Sequence, residues 1–247
     1  MPGERIVLFA TCVVETLSPE IGDAATRVLE HLGYDVTTVP GAGCCGQPAW
    51  NSGFAADAAR VARVTLDALD GEPQVCVPAG SCATMMRVYW PELFRLAGDP
   101  DASERAAALA GRVLEFSELV ARSDPIPGTH PARVAYHRSC HMLHELEIDR
   151  QPLALLDGLD GCERVAWDDD RCCGFGGTFA VKLPEISVAM ADAKIDSLAA
   201  AHADELVGCD RSCLLHLETR MRDRGIDLPV RHLAEVLAAV IDALEER

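Results

Sequence analysis

Residues 172–177 read Cys-Cys-Gly-Phe-Gly-Gly, and residues 44–46 read Cys-Cys-Gly. Each adjacent pair follows another cysteine, and Cys44 lies as far beyond Cys12 as Cys172 lies beyond Cys140. When Cys12 is aligned with Cys140, both vicinal pairs and the glycines after them therefore superimpose. Such matching spacing is the mark of an internal repeat, which means that one structural unit occurs twice.

A further cysteine completes each set, Cys82 in the first and Cys213 in the second. Their alignment requires a three-residue insertion in the second repeat. The repeat predicts two cysteine-rich halves, residues 1–122 and residues 132–247. The segment Asp99–Pro131 joins them, and its last part, SDPIPGTHP, is typical of a loop.

Short apolar strands alternate with helical segments in both halves. The predicted strands are Arg5–Ala10, Tyr34–Val39, Gln74–Pro78, Arg133–His137, Glu163–Trp167 and Glu205–Gly208. The predicted helices are one from Pro19 to about Leu32 with Ser18 as its N-cap, Ala55–Leu69, one opening at Cys82, Leu114–Arg122, Pro184–Ala201, Cys213–Arg224 and Val230–Arg247. The alternation predicts an α/β fold of two pseudo-symmetric halves, each a short parallel β-sheet with flanking helices.

Every repeated cysteine comes after the C-terminal end of a predicted strand. The C-terminal ends of parallel strands meet at one edge of a sheet, so cysteines distant in sequence are expected to converge there. Four thiolates gathered in a reducing compartment form a site for a soft metal. The predicted ligands are Cys12, Cys44, Cys45 and Cys82 in the first half, and Cys140, Cys172, Cys173 and Cys213 in the second.

Glycines flank both sets of cysteines. Because glycine allows the backbone N–H groups to turn towards an anion, these positions suit the surroundings of an anionic iron–sulfur cluster. We predict contact with the cofactor for Gly46, Gly80, Gly174, Gly176 and Gly177.

Composition narrows the class of protein. Residues Met1–Val14 lack the features of a signal peptide, and no apolar run reaches the length of a membrane helix. A cytoplasmic protein is therefore expected, in which eleven cysteines indicate metal or redox chemistry rather than disulfides. A net charge of −17 disfavours binding to nucleic acids and to anionic membranes.

Several other interpretations stay open at this point. Four thiolates also suit tetrahedral zinc, and a vicinal cysteine pair can form a strained disulfide switch. The stretch CCGFGG lacks the lysine and the glycine spacing of a phosphate-binding loop. Cys76 and Cys162 lie outside the repeat and are predicted to be buried small side chains. His137, His141 and His216 lie near the predicted ligands, where a supporting or surface position is favoured over ligation.

Three motifs resemble the CCG cysteine-rich domain family, whose pattern is a lone cysteine, a vicinal pair followed by glycine, and then CxxC. They are Val77–Met85 (VPAGSCATM), Cys172–Ser187 (CCGFGGTFAVKLPEIS) and Gly208–Leu217 (GCDRSCLLHL). The family includes the cysteine-rich subunit of heterodisulfide reductase and the iron–sulfur subunits of glycolate and glycerol-3-phosphate dehydrogenases. Within it, the chain looks most similar to the branch that takes part in lactate utilization, and the resemblance covers nearly the whole chain.

The resemblance implies an iron–sulfur electron-transfer subunit, holding one or two clusters of the [4Fe–4S] type, in a complex that oxidises L-lactate to pyruvate. It further implies partner subunits, one of them a ferredoxin-type iron–sulfur protein. The chain departs from the family pattern at Ala79, where CxxC would place a cysteine, and at Cys209, which lies one residue too far from Cys213. Cys209 is predicted as a further metal ligand, and with it the second half reaches the five cysteines of a heterodisulfide reductase-type site. The alternatives are a zinc-binding structural or scaffold protein, or a thiol–disulfide enzyme similar to heterodisulfide reductase. For the cofactor, the alternative is zinc in one half.

Overall fold

A computed structural model describes residues 3–246 of the chain. The first half of the chain begins with the apolar strand that the sequence predicts and then alternates helices and short strands. Its elements are β1 (Arg5–Leu8), α1 (Cys12–Leu17), α2 (Pro19–His31), β2 (Asp35–Thr37), α3 (Gln47–Asn51), α4 (Ala55–Leu69), β3 (Val75–Val77), α5 (Gly80–Thr84), α6 (Trp90–Leu96), α7 (Pro100–Ala110), β4 (Val113–Glu115) and α8 (Phe116–Val120). A turn of π-helix, Met85–Tyr89, connects α5 to α6.

The second half repeats this order with fewer helices. Its elements are β5 (Arg133–His137), α9 (Cys140–His144), α10 (Arg150–Asp157), β6 (Glu163–Arg164), α11 (Phe179–Lys182), α12 (Pro184–Ala200), β7 (Glu205–Gly208), α13 (Arg211–Asp223), β8 (Val230–His232) and α14 (Leu233–Glu245).

Each half contains a four-stranded parallel sheet, and the two sheets have the same strand order. The order is β2-β1-β3-β4 in the first sheet and β6-β5-β7-β8 in the second. The predicted α/β fold with two similar halves is therefore confirmed. Because all strands of a sheet run in the same direction, the loops after β1 and β3 leave the first sheet at the same edge, and those after β5 and β7 do so in the second.

The sequence prediction missed the fourth strand of each sheet. Residues 114–122 were expected to be one helix, but Val113–Glu115 form β4 and α8 starts only at Phe116. The same error recurs at the expected helix from 230 to 247, where β8 precedes α14 and Arg247 lies outside the described residues. In both places a three-residue strand passes directly into a helix, so the strand is too short to show its own periodicity.

Smaller differences concern the ends of elements. The strands predicted at Tyr34–Val39 and Glu163–Trp167 shorten to β2 and β6, whereas the prediction for α4 has the observed bounds. Ser18 precedes α2 as predicted, but its side chain makes no capping hydrogen bond. Its Oγ accepts a hydrogen bond from Nε of Arg211 at 2.7 Å, so it links the two halves instead.

A large hydrophobic cluster includes residues of both halves, and a smaller second cluster lies within the second half. Helix α14 packs on α2, and its buried residues, including Leu237 and Ile241, belong to the same apolar cluster as β1 and β3. At Gly80 the halves approach so closely that an added Cβ would lie 2.3 Å from Cγ of Met142. The limits of the halves at residues 122 and 132 remain a prediction. No helix among residues 3–246 combines the length and the apolarity needed to cross a bilayer.

Candidate metal centres

The four predicted ligands of the first half lie together. Cys12 opens α1 just after β1, the Cys44-Cys45 pair precedes α3, and Cys82 lies within α5 after β3. The Sγ atoms of Cys12 and Cys44 are 3.7 Å apart, and those of Cys45 and Cys82 are 3.1 Å apart. The edge of the first sheet thus gathers sulfur atoms from three separate segments of chain.

The second half gathers its sulfur atoms in the same order. Cys140 opens α9, the Cys172-Cys173 pair lies in the loop before α11, and Cys213 lies in the first turn of α13. The thiol of Cys172 interacts with those of Cys140 and Cys173, and Cys173 interacts in turn with Cys213. We refer to the two sets as the first quartet and the second quartet.

Both quartets face one cavity. Its volume is about 280 Å³, and seven of the eight quartet cysteines line it, all except Cys44. The remaining wall includes Phe175 and Val181. All eleven cysteines of the chain are free thiols. Two groups of reduced sulfur atoms therefore border the same largely apolar space.

Backbone N–H groups point at the sulfur atoms of the vicinal pairs. Gly46 donates to Sγ of Cys44 at 3.5 Å, and Gly174 donates to Sγ of Cys172 at 3.4 Å. The N–H of Phe175 also donates to Sγ of Cys173 at 3.4 Å. Hydrogen bonds of this kind stabilise negative charge on sulfur and tune the potential of a cluster.

Glycine is required at both of these turns. The φ angles are +85° at Gly46 and +89° at Gly174, a conformation that side chains disfavour. An added Cβ would lie 2.7 Å from the carbonyl oxygen of Ala58 in α4, or 2.6 Å from that of Ser187 in α12. The turn that presents each vicinal pair is thus built in the same way in both halves.

The other predicted glycines have different surroundings. The N–H of Gly80 donates to the carbonyl of Cys209 at 3.2 Å, so its close approach serves the contact between the halves. Gly176 and Gly177 line the cavity and have φ angles of +52° and +63°. A Cβ at Gly176 would touch Phe179, whereas Gly177 faces open space.

One thiol of each quartet is poised to ionise. A hydrogen bond from Cys12 holds the pKa of Cys44 well below its ordinary value, and a hydrogen bond from Cys140 does the same for the pKa of Cys172. The donating thiols show the opposite effect, since these hydrogen bonds raise the pKa of Cys12 and of Cys140. A thiolate at the equivalent vicinal position of each half can bind the first metal ion.

Different side chains anchor the loops that carry the vicinal pairs. In the first half, Oγ1 of Thr65 donates to the carbonyl of Cys44 at 2.9 Å and accepts from the N–H of Gly43 at 3.2 Å. In the second half, Nζ of the buried Lys194 donates to the carbonyls of Asp168, Asp169 and Arg171 at 2.7 to 3.0 Å. A hydroxyl in one half is thus matched by a buried ammonium in the other.

This duplicated arrangement agrees with the comparisons to known proteins. The family model described as a cysteine-rich domain, CCG, matches residues 6–87 and 134–218. The chain is a member of the CCG cysteine-rich domain family. Its first CCG domain carries the first quartet, and its second CCG domain carries the second.

Curated relatives extend the similarity over nearly the whole chain. Lactate utilization protein A of Exiguobacterium sp. is 40% identical over 240 residues, which cover 94% of this chain and 96% of that protein. The protein of the same name in Geobacillus thermodenitrificans is 38% identical and is covered to 98%. Lactate utilization protein A 2 of Bacillus cereus strain Q1 is 36% identical over 239 residues.

A solved structure supports the fold alone. It is the crystal structure of a hypothetical protein from Helicobacter pylori, with a TM-score of 0.63 and 11% sequence identity. The match covers 97% of this chain, which spans about half of that protein, namely 49%.

Cys209 does not join the second quartet. It is fully buried, and its Sγ accepts a hydrogen bond from the hydroxyl of Tyr136 at 3.4 Å. Its other polar neighbours are Ser117 and Glu115 of the first half and the adjacent Asp210. Cys209 lies behind the cavity and does not line it. Cys76 is completely buried in β3, and Cys162 packs at the margin of the core.

The three histidines near the quartets differ in their environment. His141 lines the cavity and is 3.3 Å from Nε2 of Gln47, while His216 is 3.2 Å from Oγ of Ser187. His137 is 1% exposed, and neither ring nitrogen has a hydrogen-bond partner. Burial lowers the pKa of His137 to about 3, helped by the charge of Lys194.

His137 also lies among the sulfur atoms of the second quartet. One of its ring nitrogens and the Sγ atoms of Cys173 and Cys213 lie within 4.8 Å of one another. Sequence reasoning favoured a supporting position for this histidine. The repeat contained a signal for a special role of His137. When Cys12 is aligned with Cys140, His137 falls on Phe9, a residue with no donor atom.

Proposed function

We propose that this protein is an iron–sulfur electron carrier in which each CCG domain binds one cluster through its quartet of cysteines. The observation that carries the proposal is that the two quartets border one apolar cavity. Two redox centres that border one cavity of about 280 Å³ would be close enough to exchange electrons. The proposal further assigns the protein to a complex that oxidises L-lactate to pyruvate.

The residues present fit such a cofactor. All four sulfur atoms of each quartet are free thiols, and backbone N–H groups point at Cys44, Cys172 and Cys173. The cavity has the volume of about nine water molecules in the liquid, which is more room than a single metal ion needs. Its apolar wall would limit the access of water to the cluster.

The chain's own residues would bind the cluster and tune it. When bound, an iron–sulfur cluster supplies one-electron transfer. The thiolates of Cys44 and Cys172 start the binding, and the N–H groups of Gly46 and Gly174 offset the negative charge on those sulfur atoms. Of the residues within 3–246 that line the cavity, His141 is the one outside the quartets that carries an ionisable side chain. In this proposal the lactate itself reacts on a partner subunit.

The assignment to lactate oxidation is supported by the names of the curated relatives, which are 36 to 40% identical over almost their full length. Electrons would pass from the lactate-oxidising partner through this protein, and a ferredoxin-type iron–sulfur protein is the expected neighbour. The proposal places the protein in the cytoplasm, a reducing compartment in which free thiols persist.

One observation favours zinc in the first half as a second candidate. Two thiolates on one tetrahedral zinc ion lie about 3.8 Å apart, because each Zn–S bond is about 2.3 Å long. The Sγ atoms of Cys12 and Cys44 are 3.7 Å apart. A structural zinc ion in the first CCG domain beside a redox cluster in the second would satisfy this spacing.

The cofactor is tested by anaerobic purification of the full chain, followed by quantitation of iron, acid-labile sulfide and zinc. Iron and sulfide in both domains are expected, and Cys45→Ser or Cys173→Ser should each remove them from one domain only. Cys162→Ser is the matched control, since this cysteine lies outside both quartets. Protein with zinc but no sulfide would contradict the iron–sulfur assignment.

The lactate assignment needs a separate experiment. In a bacterium that lacks its own lactate utilization protein A, this chain should restore growth on L-lactate, and the double variant Cys45→Ser/Cys173→Ser should not. Restoration by the double variant would refute a role of the quartets in lactate oxidation.

A further inference from the structure

The most unusual buried group in the molecule is the imidazole of His137. It lies at the end of β5, is almost completely buried, and leaves both ring nitrogens without hydrogen-bond partners. A buried polar group without a partner costs about 1–3 kcal/mol, so native proteins retain few of them. One of its ring nitrogens lies within 4.8 Å of the sulfur atoms of Cys173 and Cys213.

We propose that His137 supplies a nitrogen donor to the metal centre of the second CCG domain, which makes the two centres of this protein chemically different. The inference rests on the proposed binding of metal by the quartets. The second centre would have five donors, namely His137 and its four cysteines, whereas the first centre would have four cysteines alone.

The alternative is that His137 only fills space in the core. Its repeat partner Phe9 does that in the first domain, where it is 2% exposed and packs in the apolar cluster. A space-filling imidazole would pair its nitrogens with nearby backbone groups. The backbone of Asp169 is close enough to affect the ring, yet it reaches no hydrogen-bond geometry. Histidine ligands commonly direct their second nitrogen at such a group.

Neighbouring positions differ between the domains in a matching way. Gly208 pairs with His137 across β5 and β7, and a Cβ at this position would lie 3.6 Å from Cβ of His137. When Cys82 is aligned with Cys213, the repeat partner of Gly208 is Val77. The first domain thus has two apolar side chains where the second has an imidazole beside a glycine. The second domain leaves room for the ring to face the sulfur atoms.

The surroundings of Cys209 favour His137 over this cysteine as the fifth donor. Its Sγ atom is engaged by Tyr136, and it does not line the cavity. His137 lies on the cysteine side of the sheet edge, within reach of two quartet sulfur atoms. His137 therefore supplies the fifth donor, the role that the sequence analysis assigned to Cys209.

The test is pulsed EPR on the full chain, purified anaerobically and poised so that the clusters are paramagnetic. One sample carries ¹⁵N-labelled histidine and the other has natural abundance. We expect a strong nitrogen hyperfine coupling that changes with the label, is lost in His137→Phe and is retained in His216→Gln and Cys209→Ser. His216→Gln is the matched control, because this histidine is in the same domain but is already hydrogen-bonded to Ser187.

The possible failures are distinguishable. Iron and sulfide in both domains without a label-dependent coupling would overturn the role of His137 and leave the proposed function intact. Absence of the coupling needs no variant to overturn the role of His137. If His137→Phe does not fold, retention of the coupling in both His141→Gln and His216→Gln assigns it to His137, and its loss in His141→Gln would overturn the proposal. If the protein contains zinc instead, the proposed function fails. X-ray absorption at the zinc edge then decides, since a nitrogen shell at about 2.0–2.1 Å should vanish in His137→Phe. Protein without any metal would overturn both proposals.

Discussion

The carboxylate of Asp210 accepts a hydrogen bond from the backbone N–H of Ser81, 129 positions earlier in the chain, at 2.7 Å. Its other oxygen accepts from the N–H of Ser212 at 3.2 Å and caps α13. One buried carboxylate thus serves the N-terminal ends of the two helices that carry Cys82 and Cys213. Asp210 therefore links the helices of the two quartets through hydrogen bonds.

Asp210→Ala should therefore weaken both centres together. Hydrogen bonds to a buried charge are worth about 1.5–3 kcal/mol each, and we expect the free energy of unfolding to fall by about 3 kcal/mol. Chemical denaturation measures this loss, and metal quantitation should show both domains depleted. Asp99→Ala is the control: it removes the cap of α7, a helix without a quartet cysteine, together with the ion pair to Arg63, and should cost about 1 kcal/mol without loss of metal. Depletion of only one domain by Asp210→Ala would contradict the shared cap.

Alanine in place of Gly46 or of Gly174 should reduce metal binding only in the domain that contains the substitution. Gly46→Ala combines a positive φ angle with a Cβ 2.7 Å from a helix carbonyl, and Gly174→Ala does the same in the second domain. We expect each variant to lose metal from its own domain and more than about 2 kcal/mol of unfolding free energy. Domain-resolved metal content and denaturation curves provide the measurement.

Gly41→Ala separates conformational strain from the steric clash. Its φ angle is +91°, but an added Cβ would meet nothing within 4 Å. This variant should lose about 1 kcal/mol and keep its metal. If it loses as much metal as Gly46→Ala, the contact with α4 is not the cause.

The two lysines of the chain offer a matched pair. Lys194 is buried and donates to three carbonyls of the loop before Cys172, whereas Lys182 is exposed on α11. Lys194→Met should leave these carbonyls unpaired, lower the unfolding free energy by about 3 kcal/mol and deplete only the second domain. Lys182→Met should change stability by less than about 0.5 kcal/mol. Equal effects of the two variants would refute the anchoring role of Lys194.

Stability should fall as the pH rises through the neutral range. Burial raises the pKa of Glu115 from 4.5 to about 8, even though Ser117 donates hydrogen bonds to the carboxylate. The folded state therefore holds this proton more tightly than the unfolded state. The resulting stabilisation is complete below pH 4.5 and is lost as the pH rises towards 8.

Glu115→Gln removes this titration. Between pH 5 and 8 the unfolding free energy of the wild type should drop by about 3 kcal/mol more than that of the variant. Denaturation curves at several pH values measure the difference. Glu104→Gln, an exposed substitution on α7, should keep the slope of the wild type. A variant as pH-sensitive as the wild type would show that Glu115 is not the group responsible.

The repeat explains how much of this structure could be predicted from the sequence. Equal cysteine spacing located both quartets, because a duplicated sheet places equivalent residues at equivalent edges. Strands β4 and β8 escaped detection, since three residues are too few for a periodic pattern. The place of His137 among the sulfur atoms depends on the pairing of β5 with β7, which no local pattern encodes. The position of Cys209 behind the cavity depends equally on Tyr136 and on the first half of the chain.

The packing of α14 on α2 has a consequence for biogenesis. Arg27 of α2 forms ion pairs with Asp242 and Glu245 of α14, whose apolar face closes the core of the first sheet. A ribosome makes α14 only after every strand of the second sheet. The core around the first strands is therefore complete only once residues 233–245 have been made, and we expect metal to enter the first CCG domain after synthesis of the chain. Truncation after residue 232, which removes α14, should therefore destabilise the first CCG domain, although the second is nearer in the sequence.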